Sequence, residues 1–379
     1  MDFYTKNVHF SKKKVEPIHS KVTPIYQSSA FTFRSLEELE GYYEGKGNYL
    51  YSRVGNPNTD ELGYGVASLE GAETGVATSS GISAILVSIL AVAVSGDHII
   101  ANEDLYGGTF QLIAKELRDA GIESSFVSFL DKQHIRNAIK GNTKVIYSES
   151  VTNPLLRVEN ISQIVEIARE FNLVSIIDNT FATPLMCRPY LDGIDLVVHS
   201  ATKYIGGHSD VTAGVVVGGT QLMEKVSQKL VNLGANLSPF ESWLACRGLK
   251  TMSIRMERQA MNAAHLAEGL VGVFGVKRVF YPANLSINGN GAMVTIELDT
   301  NQCDMRNFFG SLQWVKIVPT LAGIETTVSY PIATSHRALS EEALESLGIT
   351  EGLVRISVGI ERDDDIISVF KEAIKESIK

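Results

Sequence analysis

Cysteine is scarce in this chain: there are three in 379 residues, Cys187, Cys246 and Cys303, each more than fifty residues from the next. That spacing excludes a CxxC metal or redox pair, and the sparse odd count fits a reducing compartment. Positive charge is also short. Lys and Arg number 34 against 43 Asp and Glu, a net charge of −9, so the chain has no general attraction for nucleic-acid phosphates or anionic lipid. Long apolar runs are missing. The longest, ISAILVSILAVAV from Ile82 to Val94, falls short of the roughly 20 residues a membrane span needs and reads as a buried helix. The opening MDFYTKNVHFSKKK has no apolar stretch of the kind a secretory signal carries, so a cytoplasmic protein is expected. No repeat or low-complexity segment occurs. At about 150 residues per domain, the length allows two domains or one large domain with additions.

What is present is an alternation. Residues 1–60 are irregular, with one helical candidate from Ser35 to Glu44, where Ser35 and Glu38 match a capping box. An arm with so few periodic apolar positions is expected to wrap over another surface. From about residue 61, short β-rich runs follow one another: 97–102, 124–129, 144–150, 173–179, 195–200 and 213–219. Helical stretches such as 109–121 and 161–172, apolar every three or four residues, separate several of them. This pattern predicts βαβ units and a mostly parallel sheet, hence an α/β fold. After Pro239 the character changes. A long helical region runs from Glu241 to Gly275, strand candidates stand at 292–298 and 354–359, and a helix closes the chain, together suggesting a smaller α+β domain.

Several chemistries lack their motifs. There is no GxGxxG, no GxxxxGK[ST], no HExxH and no EF-hand loop, and Gly207-His-Ser209-Asp-Val lacks the closing glycine of a nucleophile elbow. Two strand ends, however, carry unusual polar groups. Asp178 ends the apolar run Ile176-Ile177, at the sheet edge where open α/β sheets bind ligands. The next strand runs into Ser200-Ala-Thr202-Lys203-Tyr-Ile-Gly206-Gly207-His208, placing a lysine at the same edge. Upstream, Thr78-Ser79-Ser80-Gly81-Ile82-Ser83 opens the apolar helix, and amides at a helix N-terminus suit a phosphate. Taken singly, such features are usually a turn residue, a solvated lysine and an N-cap. Together they match what pyridoxal phosphate requires: a lysine for the Schiff base, a carboxylate for the pyridine nitrogen and a phosphate cradle.

These blocks carry a resemblance that covers nearly the whole chain, from Thr23-Pro-Ile-Tyr-Gln27 to Arg355-Ile-Ser-Val-Gly-Ile-Glu361. Asp178-Asn-Thr-Phe through His199-Ser-Ala-Thr-Lys203-Tyr-Ile-Gly-Gly-His208 is its most specific part. The sequence resembles the Cys/Met-metabolism (trans-sulfuration) branch of fold-type I, aspartate aminotransferase-like pyridoxal-phosphate enzymes: cystathionine γ-synthase, cystathionine γ- and β-lyases, methionine γ-lyase and O-acylhomoserine sulfhydrylase. The resemblance implies Lys203 as Schiff-base lysine and acid/base, Asp178 as partner of the pyridinium and Tyr106 stacked on the ring. It implies Asn153 on the cofactor's 3-oxygen; Gly81, Ile82, Ser200 and Thr202 around the phosphate; and Thr180 among the cofactor-binding residues. Tyr51 and Arg53 would reach a neighbouring subunit's phosphate, Tyr51 and Thr320 would also face substrate, and Arg355 would take the substrate α-carboxylate, a task its planar fork suits. No metal is implied. It further implies a homotetramer, a dimer of dimers with shared sites, and a division into an arm (1–50), a large cofactor-binding domain (51–240) and a C-terminal domain (241–379).

The expected activity is γ-elimination on a methionine-, homocysteine- or cystathionine-type amino acid, giving a 2-oxo acid, ammonia and a thiol. The alternative is γ-replacement on an O-acylhomoserine. A non-catalytic protein that kept the fold is the remote third reading; it would have lost cofactor groups, yet Lys203, Asp178, Tyr106 and Arg355 are all here. Some positions depart from the family pattern. Leu50 replaces an acidic residue, Gln111 an arginine, and Pro319-Thr320 the Glu-Ser of cystathionine γ-lyases, so the grip on a distal ammonium and carboxylate is expected to be weakened. Gly108 stands where methionine γ-lyases typically have cysteine, and the segment from Tyr281 to Gly289 is shorter than usual.

Overall fold

The structure is a computed structural model that describes residues 1–10, 19–47, 49–334, 337, 344 and 347–379. His336 lies outside the described residues.

Seven strands form the central sheet: β1 (Thr74–Thr78), β2 (His98–Asn102), β3 (Glu123–Val127), β4 (Thr143–Glu149), β5 (Val174–Asp178), β6 (Leu196–His199) and β7 (Gly214–Gly218). Their order is β1-β7-β6-β5-β4-β2-β3. From β6 to β3 all neighbours are parallel, whereas β7 runs antiparallel to both β1 and β6. The strands are apolar on both faces because both faces are covered. Ile177, Val197 and Val217 point into a core shared with Leu62, Val66 and Leu69 of the helix Pro57–Glu70. Their neighbours Ile176, Val198 and Val216 face Ile85 and Ile89 of the helix Gly81–Leu90 on the other side.

A second, five-stranded sheet, in the order β10-β11-β12-β9-β8, is built from β8 (Val276–Phe280), β9 (Met293–Leu298), β10 (Lys316–Ile317), β11 (Thr327–Ser329) and β12 (Leu353–Ser357). The fold is therefore α/β with a smaller second sheet unit, as the alternation predicted. The helical region expected from Glu241 to Gly275 is two helices, Pro239–Leu249 and Met252–Leu270. Their residues divide between cores. Ala245, Leu249, Met252 and Met256 pack with the large sheet, Ala263, Leu266 and Leu270 with the small one.

The first ten residues sit on their own chain: Phe10 is buried, and Asn7 donates to the Leu249 carbonyl (2.7 Å) while accepting from the Ser253 amide (3.1 Å). The expected short helix is present as Leu36–Tyr43, its Glu38 amide bonded to Ser35 Oγ, although the Glu38 carboxylate returns to the Arg34 amide rather than to Ser35. Among the described residues, no helix is long and apolar enough to cross a membrane and no cluster of side chains could hold a metal ion.

Candidate active site

The C-terminal ends of β4, β5 and β6 open into a cavity of about 210 Å³, closed from the other side by the segment Pro319–Leu321 and by Arg355 of β12. Of the thirteen residues expected at the site, ten besides Arg355 line it: Gly81, Ile82, Tyr106, Asn153, Asp178, Thr180, Ser200, Thr202, Lys203 and Thr320. With Arg355 the same chain's set is complete.

Each side chain is held for a local reason. Lys203 follows β6 in a tight turn, its amide bonded to the Ser200 carbonyl, and its Nζ donates to Thr320 Oγ1 at 2.7 Å. Burial, and then the nearby Arg355 guanidinium, lower its ammonium to about 8. Asp178 ends β5 and accepts two bonds on one oxygen, from the Thr180 amide (2.9 Å) and the Thr180 hydroxyl (2.5 Å). Burial pushes this carboxyl up; the Thr180 donors, and then His199, pull it back. His199 is itself fixed from behind, with Nε2 2.9 Å from Glu70 Oε1, and Glu70 also accepts from Asn179 (2.7 Å).

The turn before the helix Gly81–Leu90 is capped by Ser80, whose Oγ accepts the Ser83 amide (3.1 Å). Gly81 lies so close to Ser200 that a Cβ on it would meet Ser200 Cβ at 2.7 Å. The free amides of the first turn and the nearby hydroxyls thus form a cradle that fits a phosphate. Thr202 lines the cavity, but its hydroxyl is engaged with both the carbonyl and the amide of Ala213 (3.1 and 2.9 Å). Asn153 lends its carbonyl oxygen to Arg355 (2.7 Å), leaving its Nδ2 as the donor for a cofactor oxygen. Arg355 is buried and also donates to Ser329 (3.1 Å), and burial lowers it to about 10. A carboxylate at Asp178, an aromatic face at Tyr106 and free amides at Gly81 together fit the ring nitrogen, ring and phosphate of pyridoxal phosphate.

Tyr51 and Arg53 do not reach this cavity. Tyr51 is exposed, the Arg53 guanidinium stands over its ring at 5.6 Å, and Arg53 donates to the Val231 carbonyl (3.2 Å). Of the departing positions, Pro319 lines the cavity, whereas Leu50 and the exposed Gln111 lie outside it. Gly108 proves steric: a Cβ there would sit 2.5 Å from Tyr106 Cε1, so any larger residue must displace the ring. His208, set aside in the sequence, bonds the Gly206 carbonyl (2.8 Å) in the turn after Lys203.

A model of the family described as Cys/Met metabolism PLP-dependent enzyme matches residues 4–375. The chain belongs to that family. It is 37% identical to a cystathionine beta-lyase of Lactococcus lactis subsp. cremoris, covering 98% of each chain. It is also 37% identical to an L-methionine gamma-lyase of Fusobacterium nucleatum, covering 93% of each. Among solved structures, a Campylobacter jejuni chain described as an O-acetylhomoserine (thiol)-lyase, which carries a pyridoxyl-lysine monophosphate, superposes with a TM-score of 0.93 at 29% identity, over 99% of this chain and 100% of that one. The protein is thus a pyridoxal-phosphate-dependent enzyme of sulfur amino-acid metabolism with an amino acid as substrate.

Within this Cys/Met-metabolism enzyme, sequence reasoning missed two groups at the site. Glu149 ends β4 and lines the cavity beside Asp178, and Phe181 lines it just beyond Thr180. Glu149 carried the same signal that found Asp178, a carboxylate closing an apolar strand.

Proposed function

We propose that this enzyme is a carbon–sulfur lyase that eliminates a thiol from Cγ of a methionine-, homocysteine- or cystathionine-type amino acid, releasing a 2-oxo acid and ammonia. One observation carries this reading: a buried lysine with a lowered pKa shares a cavity with Asp178 and with an arginine placed for a carboxylate. Pyridoxal phosphate, when bound, supplies an electron-poor ring that stabilises negative charge at the substrate's Cα.

The chain's own residues supply the rest. Arg355 holds the α-carboxylate, and its bond to Asn153 ties that grip to the cofactor's position. Asp178, pinned by Thr180, keeps the ring nitrogen protonated. Lys203, close to its working range when neutral, takes the Cα proton and then a Cβ proton, and Thr320 Oγ1 holds its amine when it is not bonded elsewhere. Tyr106, which lines the cavity, would face the ring and assist the transfer. Apolar Pro319 and Leu321 form the wall that a thioether chain would meet.

The similarity to a cystathionine beta-lyase favours a second reading, cleavage at Cβ of cystathionine, and that to an O-acetylhomoserine (thiol)-lyase favours γ-replacement. Around this site the same reading sets a cytoplasmic homotetramer, a dimer of dimers, whose segment near Tyr51 and Arg53 completes a neighbour's phosphate cradle. It divides the chain into an arm (1–50), a large domain (51–240) and a C-terminal domain (241–379). The exposure of Tyr51 and Arg53, outside their own cavity, supports the shared site.

A substrate panel tests the reaction. 2-Oxobutanoate and ammonia from methionine or homocysteine is the expected result. Pyruvate and homocysteine from cystathionine would favour Cβ cleavage, and product only from O-acetylhomoserine with sulfide would favour replacement. No turnover of any of these rejects all three.

A further inference from the structure

Glu149 is the one buried acid in the cavity that the proposed chemistry does not use. It is 5% exposed, and its Oε1 accepts the main-chain amide of Tyr106 at 2.8 Å. That amide opens the short helix Gly107–Gln111, which has no side-chain cap of its own, so Glu149 is the group that fixes where Tyr106 leaves the loop. Glu149 is also paired in register with Asp178 on the adjoining parallel strand. Neighbouring strands lie about 4.8 Å apart, so two carboxyls share one buried sheet edge.

Two carboxylates this close, out of water, do not both ionise; one keeps a proton. The donors decide which. Asp178 receives an amide and a hydroxyl from Thr180 and lies near His199, all favouring its charged form. Glu149 receives one amide only. The other charged groups around Glu149 do not reverse this. Asp104 and Glu159 are acids, and Arg157 is spent on Asp104 at 2.9 Å. Lys203 is turned to Thr320, and the Arg355 guanidinium, which attracts Glu149, makes its bonds to Asn153 and Ser329 instead. Burial, and then the Asp178 charge, accordingly hold the Glu149 carboxyl well above the usual range.

We propose that Glu149 is a positioning residue that works as the neutral acid: it anchors the Tyr106 main chain, and with it the ring over the cofactor, without adding a second negative charge beside Asp178. The proposal rests on the pyridoxal-phosphate reading of the cavity. A charge at Glu149 would compete with Asp178 for the ring nitrogen's field; an uncharged group of the same shape keeps the anchor alone.

Two variants separate these roles in the holoenzyme. Glu149→Gln retains an oxygen for the Tyr106 amide and mimics the neutral acid. It should leave the midpoint of the cofactor's visible pH titration within about 0.3 units and cofactor affinity within about twofold, since each pH unit reports a tenfold change in the balance of charge. Glu149→Ala removes the anchor and should weaken cofactor binding and lower kcat by about tenfold or more, the cost of an unmatched buried amide. Infrared spectra of the wild type near pH 8 should contain a protonated-carboxyl band that Glu149→Gln removes. A titration midpoint moved by about one unit or more in Glu149→Gln, or the absence of that band, shows an ionised Glu149 and overturns the proposal. Unchanged affinity and kcat in Glu149→Ala also overturns it. Borohydride trapping of the cofactor on wild-type Lys203 is read first, so that a failure of the cofactor reading is seen separately.

Discussion

At the scale of single residues, the site stores an electrostatic cost that can be measured. Lys203 titrates near 10.5 when unfolded and about 8 when folded. The folded state therefore binds fewer protons than the unfolded chain between about pH 8 and 10.5, and stability from this group rises with pH across that window. Below it the full cost of a buried ammonium is present. Lys203→Met should thus stabilise the cofactor-free protein at pH 7 by on the order of 2 kcal/mol, after allowing for the lost bond to Thr320, with the gain vanishing above about pH 10.5. Denaturant unfolding at both pH values checks this; equal or lower stability of the variant at pH 7 rejects it. Asp178 and Lys203 were legible in the sequence through their coincidence at one sheet edge with a phosphate-ready turn, and Arg355, which lies within β12, through the family resemblance. The sequence did not separate Asp178 from Glu149. The two have the same local pattern, and the difference lies in donors brought by the next loop, which only the folded chain displays.

At the scale of elements, strands buried on both faces announced themselves. β2, β4, β5, β6 and β7 are continuous apolar runs and were found to within two residues. β1 (TGVAT), β8 (VKRVF) and the short β10 and β11 were not. Their residues are partly exposed or too few to show alternation, and β1 pairs with β7, far along the chain. The break between Pro239–Leu249 and Met252–Leu270 was hidden too, because Ala245 and Leu249 before it and Met252 and Met256 after it face the same core and keep one apolar periodicity. The helix start at Gly81 yields a test at this scale. Gly81→Ala puts a Cβ 2.7 Å from Ser200 Cβ and should lower cofactor affinity by about tenfold or more, the effect of pushing apart a preformed anion site. Adding Ser200→Gly should recover part of the loss. Equilibrium binding of pyridoxal phosphate reads both, and a double variant no better than Gly81→Ala would place the cause elsewhere.

At the scale of the whole molecule, the proposed sharing of a site between Arg53 of one subunit and Lys203 of another predicts behaviour that no single subunit shows. Arg53→Ala and Lys203→Ala homo-oligomers should each be inactive or severely weakened, for different reasons. Mixed and allowed to exchange, they should regain up to about a quarter of wild-type activity, the share expected if one site in two of each hybrid pair is intact and subunits assort at random. Exchange verified by mass with no recovered activity would count against a shared site.

The cavity also has a history in time. Its lining runs from Ser80 to Arg355, so almost the entire chain must exist before the site does. At synthesis rates of about 5–20 residues per second, Ser80 waits roughly 14–55 s for the arginine that faces it across the finished cavity. During that interval the large sheet and the residues proposed for the cofactor, all at or before Lys203, can form, while the arginine proposed for the substrate's carboxylate is still missing. The cradle for the cofactor is therefore complete before the grip on the substrate.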